Sequence, residues 1–479
     1  MAGVGPSLPV TGAGLTLAAL EVALAAGFVP EQEYVLDVLL REFLGLTFVT
    51  RAGRDEAVVL ARDGKTVRLP QSLFRGPDGG GPAAVRREPQ VRWMDVAAAA
   101  LPIEAFGGSS VPILFGEPTA GNTWIAREGD EWTVHADLLG GSFFLLARLE
   151  EVGSDAYDEI DVFPAKASIA HRHGFLTRPI VDEYAEILWS VLSARWPDLR
   201  RRESRFAVHA SHDVDRPHAY DYAGRRDRLW VLRQDARAGI LPRLHGSRLL
   251  NATAALLGLK HNDPFDNFEW LMDLDEGKGQ QATYYFLAGA STRFDGRYDV
   301  TSPHMQALLR RVVERGHSIG LHGSYATVDD AEMLSLERTR LATALQAAGV
   351  PGEVTAVRQH YLRWRAPLTW RIAESAGLTV DSSLGFNEAP GFRAGTSFEF
   401  PAFDVENRRP LRLREKPLHV MDRALSGLDQ AAALATIDTI AQEARRHGGT
   451  LELLWHNNIF VEDPREEARY LHGLSSAAA

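Results

Sequence analysis

The sequence predicts an α/β protein, with a mainly parallel sheet or barrel in its second half and a smaller α/β unit before it. Three observations carry this. The stretch Phe206-Ala-Val-His-Ala-Ser-His-Asp-Val-Asp-Arg216 is a run of strand formers that ends in two carboxylates, Asp213 and Asp215. From Phe206 onward, short apolar runs alternate with helix-period segments. Before Phe206, an amphipathic helix over 179–196 stops ahead of Pro197, and the charged patch Arg200–Arg205 follows. The boundary is therefore put between an N-terminal domain, 1–199, and a second domain, 200–479.

Composition narrows the function classes. The chain has 479 residues, 45% hydrophobic and 24% charged, as expected of a folded globular protein. A net charge of -11 argues against nucleic acid or an anionic membrane as partner. With no cysteine, disulfides, thiolate metal sites and cysteine nucleophiles are excluded. Leu15–Phe28 is apolar, but Glu21 interrupts it and it is too short to span a bilayer. No basic region precedes it, so it is read as a buried helix. The expectations are no membrane insertion and a cytoplasmic location.

In chain order, residues 1–14 read as a loose Gly/Pro-rich terminus, and Leu15–Ala26 and Glu31–Leu44 as helices. Val58–Ala61 and Thr66–Leu69 flank Asp63-Gly64, a hairpin signal. Pro77–Pro82 is a loop, Val111–Phe115 and Trp132–Val134 are short apolar runs, and Ser142–Glu150 suits a helix. His171 and His173 form an HxH pair that reads as a polar loop rather than a metal pair. In the second half, strands are expected at Phe206–Ala210, Ala282–Leu287, Ser318–Leu321 and Leu451–Trp455. Helices are expected at Gln306–Arg315, from Asp329 or Asp330 to Ala348, at Trp370–Ala376 capped by Thr369, and from Asp429 to His447. The Arg- and Leu-rich Arg216–Asn262 is an insertion after the first strand.

Parallel α/β folds place chemistry past the C-terminal ends of their strands. On an extended segment, residues i and i+2 point the same way, so Asp213 and Asp215 reach one site. One can bind a cation while the other acts as base toward a water; a solvated Asp-x-Asp turn has the same letters. More polar groups follow the later strands: His317 and His322 in Gly316-His-Ser-Ile-Gly-Leu-His-Gly-Ser-Tyr-Ala326, and Arg358 and His360 in Val357-Arg-Gln-His-Tyr-Leu-Arg-Trp364. Asp381 opens Asp381-Ser-Ser-Leu-Gly-Phe386, and His456 closes Leu451-Glu-Leu-Leu-Trp-His456. Singly, each is as readily a turn, cap or core group; the ordered series is the signal.

Over about Phe206 to Asp463, this series resembles the polysaccharide deacetylase (NodB-homology) carbohydrate esterases. The resemblance implies a distorted (β/α) barrel, a divalent-metal site and hydrolysis of N- or O-acetyl groups on sugars. It implies Asp213 as general base, Asp215 and His322 as metal ligands and Arg358 as the residue that holds the base. It further implies Asp381 as the acid orienting His456, and His456 as general acid. The family's second motif carries another ligand histidine four residues on, where this chain has Ala326. His360 is the first candidate to replace it and His317 the second. The metal that the resemblance implies is divalent, with Zn, Mn, Co, Ni and Mg not distinguished by the sequence. Motif position also makes the backbone N–H of Tyr361 or a neighbour a candidate oxyanion donor. Tyr325, Tyr361, Trp364 and Arg393 are candidates for substrate contact, and the partner expected is an amino-sugar or oligosaccharide. Asp137–Glu151 and Gly174–Ile180 resemble the N-terminal domain of family members linked to surface-polysaccharide synthesis. Two alternatives stay open at this point: a metal-independent amide hydrolase on the same scaffold, and a glycan-binding protein without turnover.

Overall fold

The structure is a computed structural model and describes residues 20–74, 88–219, 263–290 and 292–478. The expected loop at Pro77–Pro82 and nearly all of the insertion after the first strand lie outside the described residues.

The N-terminal half is built on a six-stranded sheet ordered β2-β1-β3-β4-β8-β7. Its strands are β1 (Leu20–Leu24), β2 (Phe48–Ala52), β3 (Ala57–Arg62), β4 (Lys65–Pro70), β7 (Ile125–Glu128) and β8 (Glu131–Val134). A separate two-stranded sheet pairs β5 (Arg92–Asp95) with β6 (Ser110–Ile113). The Asp63-Gly64 hairpin forms as read, both residues having the positive φ that its tight turn requires. The apolar run expected as a helix from Leu15 is instead β1 over its described part, paired with β2 and β3. A five-residue strand, apolar but for Glu21, carries no period that separates a buried strand from a buried helix; here the sheet partners decide.

Helices at Val29–Leu36, continued as a π-helical turn over Asp37–Phe43, and at Leu138–Leu146 and Ile180–Arg195 pack in this half. Asp137 caps the second, accepting the Gly140 N–H at 2.8 Å, and also takes the N–H groups of Ser72 and Leu73. Gly141 lets that helix approach the third: a Cβ there would lie 2.5 Å from the Tyr184 ring. His171 and His173 are exposed and belong to no cluster of metal-ligating groups.

The second half carries a nine-stranded sheet ordered β14-β15-β13-β12-β11-β10-β9-β17-β16. The strands are β9 (Ala207–Val214), β10 (Thr283–Leu287), β11 (Ser318–Gly323), β12 (Ala356–Gln359), β13 (Val380–Asp381), β14 (Phe400–Asp404), β15 (Arg409–Glu415), β16 (Val420–Met421) and β17 (Thr450–Leu454). All neighbouring pairs are parallel except β14 with β15. Helices at Pro303–Glu314, Ala331–Ala347, Leu368–Ser375 and Gln430–Arg446 give the strand–helix alternation read from the sequence. Asp330 and Asp429 cap their helices through Met333 and Ala432 N–H. Thr369 is not a cap: it lies inside its helix, where its hydroxyl accepts from Arg365 N–H and donates to the Val328 carbonyl.

One large hydrophobic cluster runs through both halves, from Leu20 to Leu474, and a small one joins Phe163 and Ala165 to Phe386. Across their junction lies a buried ion triad, with Glu151 between Arg148 and Arg393. No described helix is long and apolar enough to cross a membrane.

Candidate metal and hydrolytic site

The C-terminal ends of β9, β11 and β12, with the chain just past β17, converge on Asp215. Its Oδ1 lies 3.2 Å from His322 Nε2 and 3.5 Å from His360 Nε2. Its Oδ2 lies 3.6 Å from His456 Nε2. Asp213, two residues back, meets the same group: its Oδ2 is 3.6 Å from His322 Nε2. The parallel register of β9, β10, β11 and β12 sets these strand ends side by side.

Asp213 is anchored by Arg358, whose Nη1 donates to Oδ1 at 3.0 Å. Arg358 is 1% exposed and its other donors are also spent. It donates to Ser211 Oγ, to the Ser382 carbonyl and to Ser382 Oγ, and it stacks 4.4 Å over the Tyr285 ring. A guanidinium gripped this way has one orientation, and so does the carboxylate it holds.

Asp215, His322 and His360 are the group of described residues whose donor atoms, all within 4.8 Å of one another, suit a metal ion. Their protonation geometry tests the fit. His322 Nδ1 donates to the Arg358 carbonyl at 2.8 Å, so Nε2 of the neutral ring presents a lone pair. Nε2 is buried without a hydrogen-bond partner, and so is Asp215 Oδ1 opposite it. His360 Nδ1 is held by Asp295 Oδ1 at 3.1 Å, turning its Nε2 toward Asp215. Carboxylate–imidazole pairs of this kind orient metal-binding histidines. Once His360 Nε2 gives up its proton, three acceptor atoms aimed at one another in a buried space fit a divalent cation, and a one-carboxylate, two-imidazole set suits Zn, Mn, Co or Ni. Burial favours neutral His360, but Asp215 and Asp295 outweigh it and push its pKa up to about 9. Burial likewise raises Asp215, yet His360, His322 and His456 together hold it well below the usual carboxylate range.

His317, the second candidate for the missing ligand, is elsewhere. Its Nδ1 accepts the Ala282 N–H at 3.0 Å, so it supports the β10–β11 end away from the site.

Two expectations about His456 part company. Its Nε2 reaches the site, 3.6 Å from Asp215 Oδ2, but Asp381 does not orient it. Asp422, which directly follows β16, does: Oδ2 lies 2.9 Å from His456 Nδ1 and accepts its backbone N–H at 2.7 Å. Burial opposes the charged ring, yet Asp422 and then Asp215 raise His456 to about 9. Asp381 instead lies opposite Glu415 in the β13–β15 register, and accepts the Ser383 hydroxyl. Burial pushes its pKa up to about 6, against the Ser383 hydrogen bonds and the Arg358 charge, which lower it.

The substrate-contact candidates divide. Tyr325 and Tyr361 are half-buried near the candidate metal ligands, Tyr361 packing on His360 with centroids 4.4 Å apart. Tyr361 has φ 60° and Leu362 φ 53°, so the chain turns sharply after His360. Trp364 is fully buried against Trp370, and Arg393 is buried in the ion triad with Glu151. Both are therefore structural: an indole or guanidinium with no accessible face cannot meet a sugar. Trp455 is core as well, its Nε1 donating to Glu466.

Sequence reasoning missed Asp422 and Asp295. Asp422 follows a two-residue strand, too short for a periodic signal, and Asp295 lies in the loop after β10.

Comparison with known proteins adds little to this geometry. A family described as one of unknown function (DUF7033) matches residues 22–197. No curated protein matches the chain. Similar solved structures include proteins designated polysaccharide deacetylases from Mycobacterium smegmatis (18% identity, TM-score 0.38, covering 59% of this chain and 86% of that one) and Pseudomonas aeruginosa PAO1 (16%, 0.35, 57% and 85%). An allantoinase is similar at 12% identity and TM-score 0.33, covering 57% of this chain and 85% of that one. Overlap at this level leaves the chemistry of the site to the residues themselves.

Proposed function

We propose that the chain is a metal-dependent hydrolase that removes an N- or O-acetyl group from a sugar unit of a surface glycan or its precursor. The mainly parallel sheet is taken as a distorted (β/α) barrel spanning 200–479, with 1–199 as its accessory domain. The carrying observation is the orphaned pair, His322 Nε2 and Asp215 Oδ1, 3.2 Å apart in a buried site. An acid and a base each come within 3.6 Å of that pair. The ordered motifs Asp213/Asp215, His322, Arg358 and His456 supply the reaction class.

Asp215, His322 and His360 would hold the cation, which when bound would polarise the acyl carbonyl and make water more acidic. Asp213, fixed by Arg358 through Oδ1, takes the proton of the attacking water at Oδ2. The water oxygen bonds to the acyl carbon, and the Tyr361 backbone N–H serves the oxyanion. His456 gives its Nε2 proton to the leaving amine or alkoxide as the C–N or C–O bond breaks, and acetate departs. Acid–base help of this kind contributes about 10²–10⁴-fold.

The test is acetate release from N-acetylated amino-sugar oligomers by protein of known metal content. Release that stops on chelation, returns with added metal and is absent in Asp213→Asn supports the reading. Chelator-insensitive release, or none from fully loaded protein, removes it.

A further inference from the structure

The N-terminal half touches the rim of the site through the segment Tyr157–Asp161, which lies inside the stretch matched by the family of unknown function. The Asp161 carboxylate pairs with Arg363 and Arg365, each at 2.5 Å. The Ile160 carbonyl accepts the Tyr325 hydroxyl at 3.1 Å. The Arg365 guanidinium lies 5.0 Å from the Tyr157 ring centre. Arg363 in turn stacks 3.8 Å over the Tyr325 ring and donates to the Tyr325 carbonyl.

The segment is braced from within. Asp158 Oδ1 accepts the N–H groups of Ile160 and Val162, both at 3.0 Å, and the Asp158 carbonyl accepts that of Asp161. Asp161 has φ 63°, a conformation uncommon outside glycine that persists where surrounding contacts over-determine it. Its carboxylate therefore meets the arginines from a fixed backbone.

What this grip controls is Tyr325. Its N–H donates at 2.7 Å to Asp295 Oδ1, the oxygen that also holds His360. Asp295, Arg363 and Ile160 thus fix its N–H, its carbonyl and its hydroxyl. Its ring stacks on Phe294 at 4.4 Å and meets Tyr361 edge-on at 6.1 Å. Phe294, Tyr325 and Tyr361 form a half-buried aromatic group beside a metal-ligand candidate, the kind of lining on which a ring-shaped ligand is seated.

We propose that Tyr157–Asp161 is a specificity-determining wall of the active site, with Asp161 as its positioning residue. It holds the aromatic group against which a sugar neighbouring the acetylated unit is seated, so the N-terminal half sets the preference for oligosaccharide over monosaccharide. This rests on the deacetylase reading. The chain within 157–161 carries out no chemistry; it acts through Arg363 and Tyr325.

The experiment measures kcat and KM for N-acetylglucosamine and for its tetrasaccharide. Wild type is compared with Asp161→Ala, Asp161→Glu and Glu31→Ala. The last breaks a different ion pair between the two halves, Arg408–Glu31 at 2.7 Å, and controls for general loosening. The expected result in Asp161→Ala is a tetrasaccharide KM raised about tenfold, the scale of one lost desolvated contact. The monosaccharide KM and the bound metal stay as in wild type, Asp161→Glu recovers part of the loss, and Glu31→Ala shows none of it. Equal KM changes for both substrates, or the same change in Glu31→Ala, overturn the wall. A metal-loaded wild type inactive on both substrates removes the deacetylase reading, and the wall with it. An active wild type with unaltered Asp161 variants removes the wall alone.

Discussion

His456 Nδ1 lies 2.9 Å from Asp422 Oδ2, and the same oxygen accepts the His456 backbone N–H. Ring and backbone are fixed by one carboxylate, so the proton on Nε2 is aimed at Asp215. Because the folded His456 pKa is raised to about 9, the acid form persists below that pH and is lost above it. Asp422→Asn is expected to lower kcat by about 10²-fold or more. It also moves the alkaline limb of the pH–rate profile toward lower pH by about 1–3 units, the scale of a lost adjacent charge. Asp381→Asn moves neither limb. A profile that shifts in Asp381→Asn and not in Asp422→Asn would reverse the assignment.

Metal affinity follows the three-residue group. His322→Ala and His360→Ala each lose bound metal in elemental analysis, whereas His317→Ala keeps it. Asp295→Asn, which frees the His360 ring without removing it, weakens affinity by about 10–100-fold in a metal titration.

Arg358 is buried against Asp213, so removing it strands a carboxylate away from water. Arg358→Met is expected to cost about 3–5 kcal/mol of stability in denaturant unfolding, along with activity. Ser382→Ala removes one donor–acceptor pair to the same guanidinium and costs about 1 kcal/mol.

Trp364→Ala tests whether that side chain belongs to the core. Loss of a fully buried indole packed on Trp370 costs about 3–5 kcal/mol, with substrate KM unchanged in the folded fraction. A raised KM at unchanged stability would return Trp364 to the substrate.

His419 links stability to pH. Its Nδ1 accepts Glu452 N–H at 3.1 Å and its Nε2 lies 3.2 Å from the Thr396 carbonyl, so one neutral tautomer is locked in. Burial lowers its pKa to about 4. The unfolded chain therefore takes the proton first: the contribution is whole above about pH 6.5 and is lost as pH falls toward 4. The loss is about 3 kcal/mol. Unfolding free energies at pH 7 and pH 4.5 should differ less in His419→Gln than in wild type.

Asp213 and Asp215 were legible because an i, i+2 pair at a strand end leaves little freedom in direction. His322, Arg358 and His456 were legible for the same reason: each directly follows, or ends, a run with strand character. His360, the candidate for the missing ligand, was reachable only because a familiar pattern had a gap at Ala326. Asp422 was not legible, since two residues of strand carry no period and its role exists only through the neighbouring β17. Leu20–Leu24 failed for want of length. Trp364 and Arg393 failed because sequence gives an aromatic or a cation but not which of its faces is covered.

The β9–β17 pairing brings together the two ends of the proposed site. β9 opens the second half and carries Asp213, the proposed base; β17, the last described strand, leads to His456, the proposed acid. Their contact closes a loop of most of the second half, the kind of long-range closure that forms slowly and late. A ribosome-bound chain not yet extended through β17 holds Asp213 without His456. On the hydrolase reading proposed above, such a chain would lack its acid, and acetate release would begin only once β17 has paired with β9.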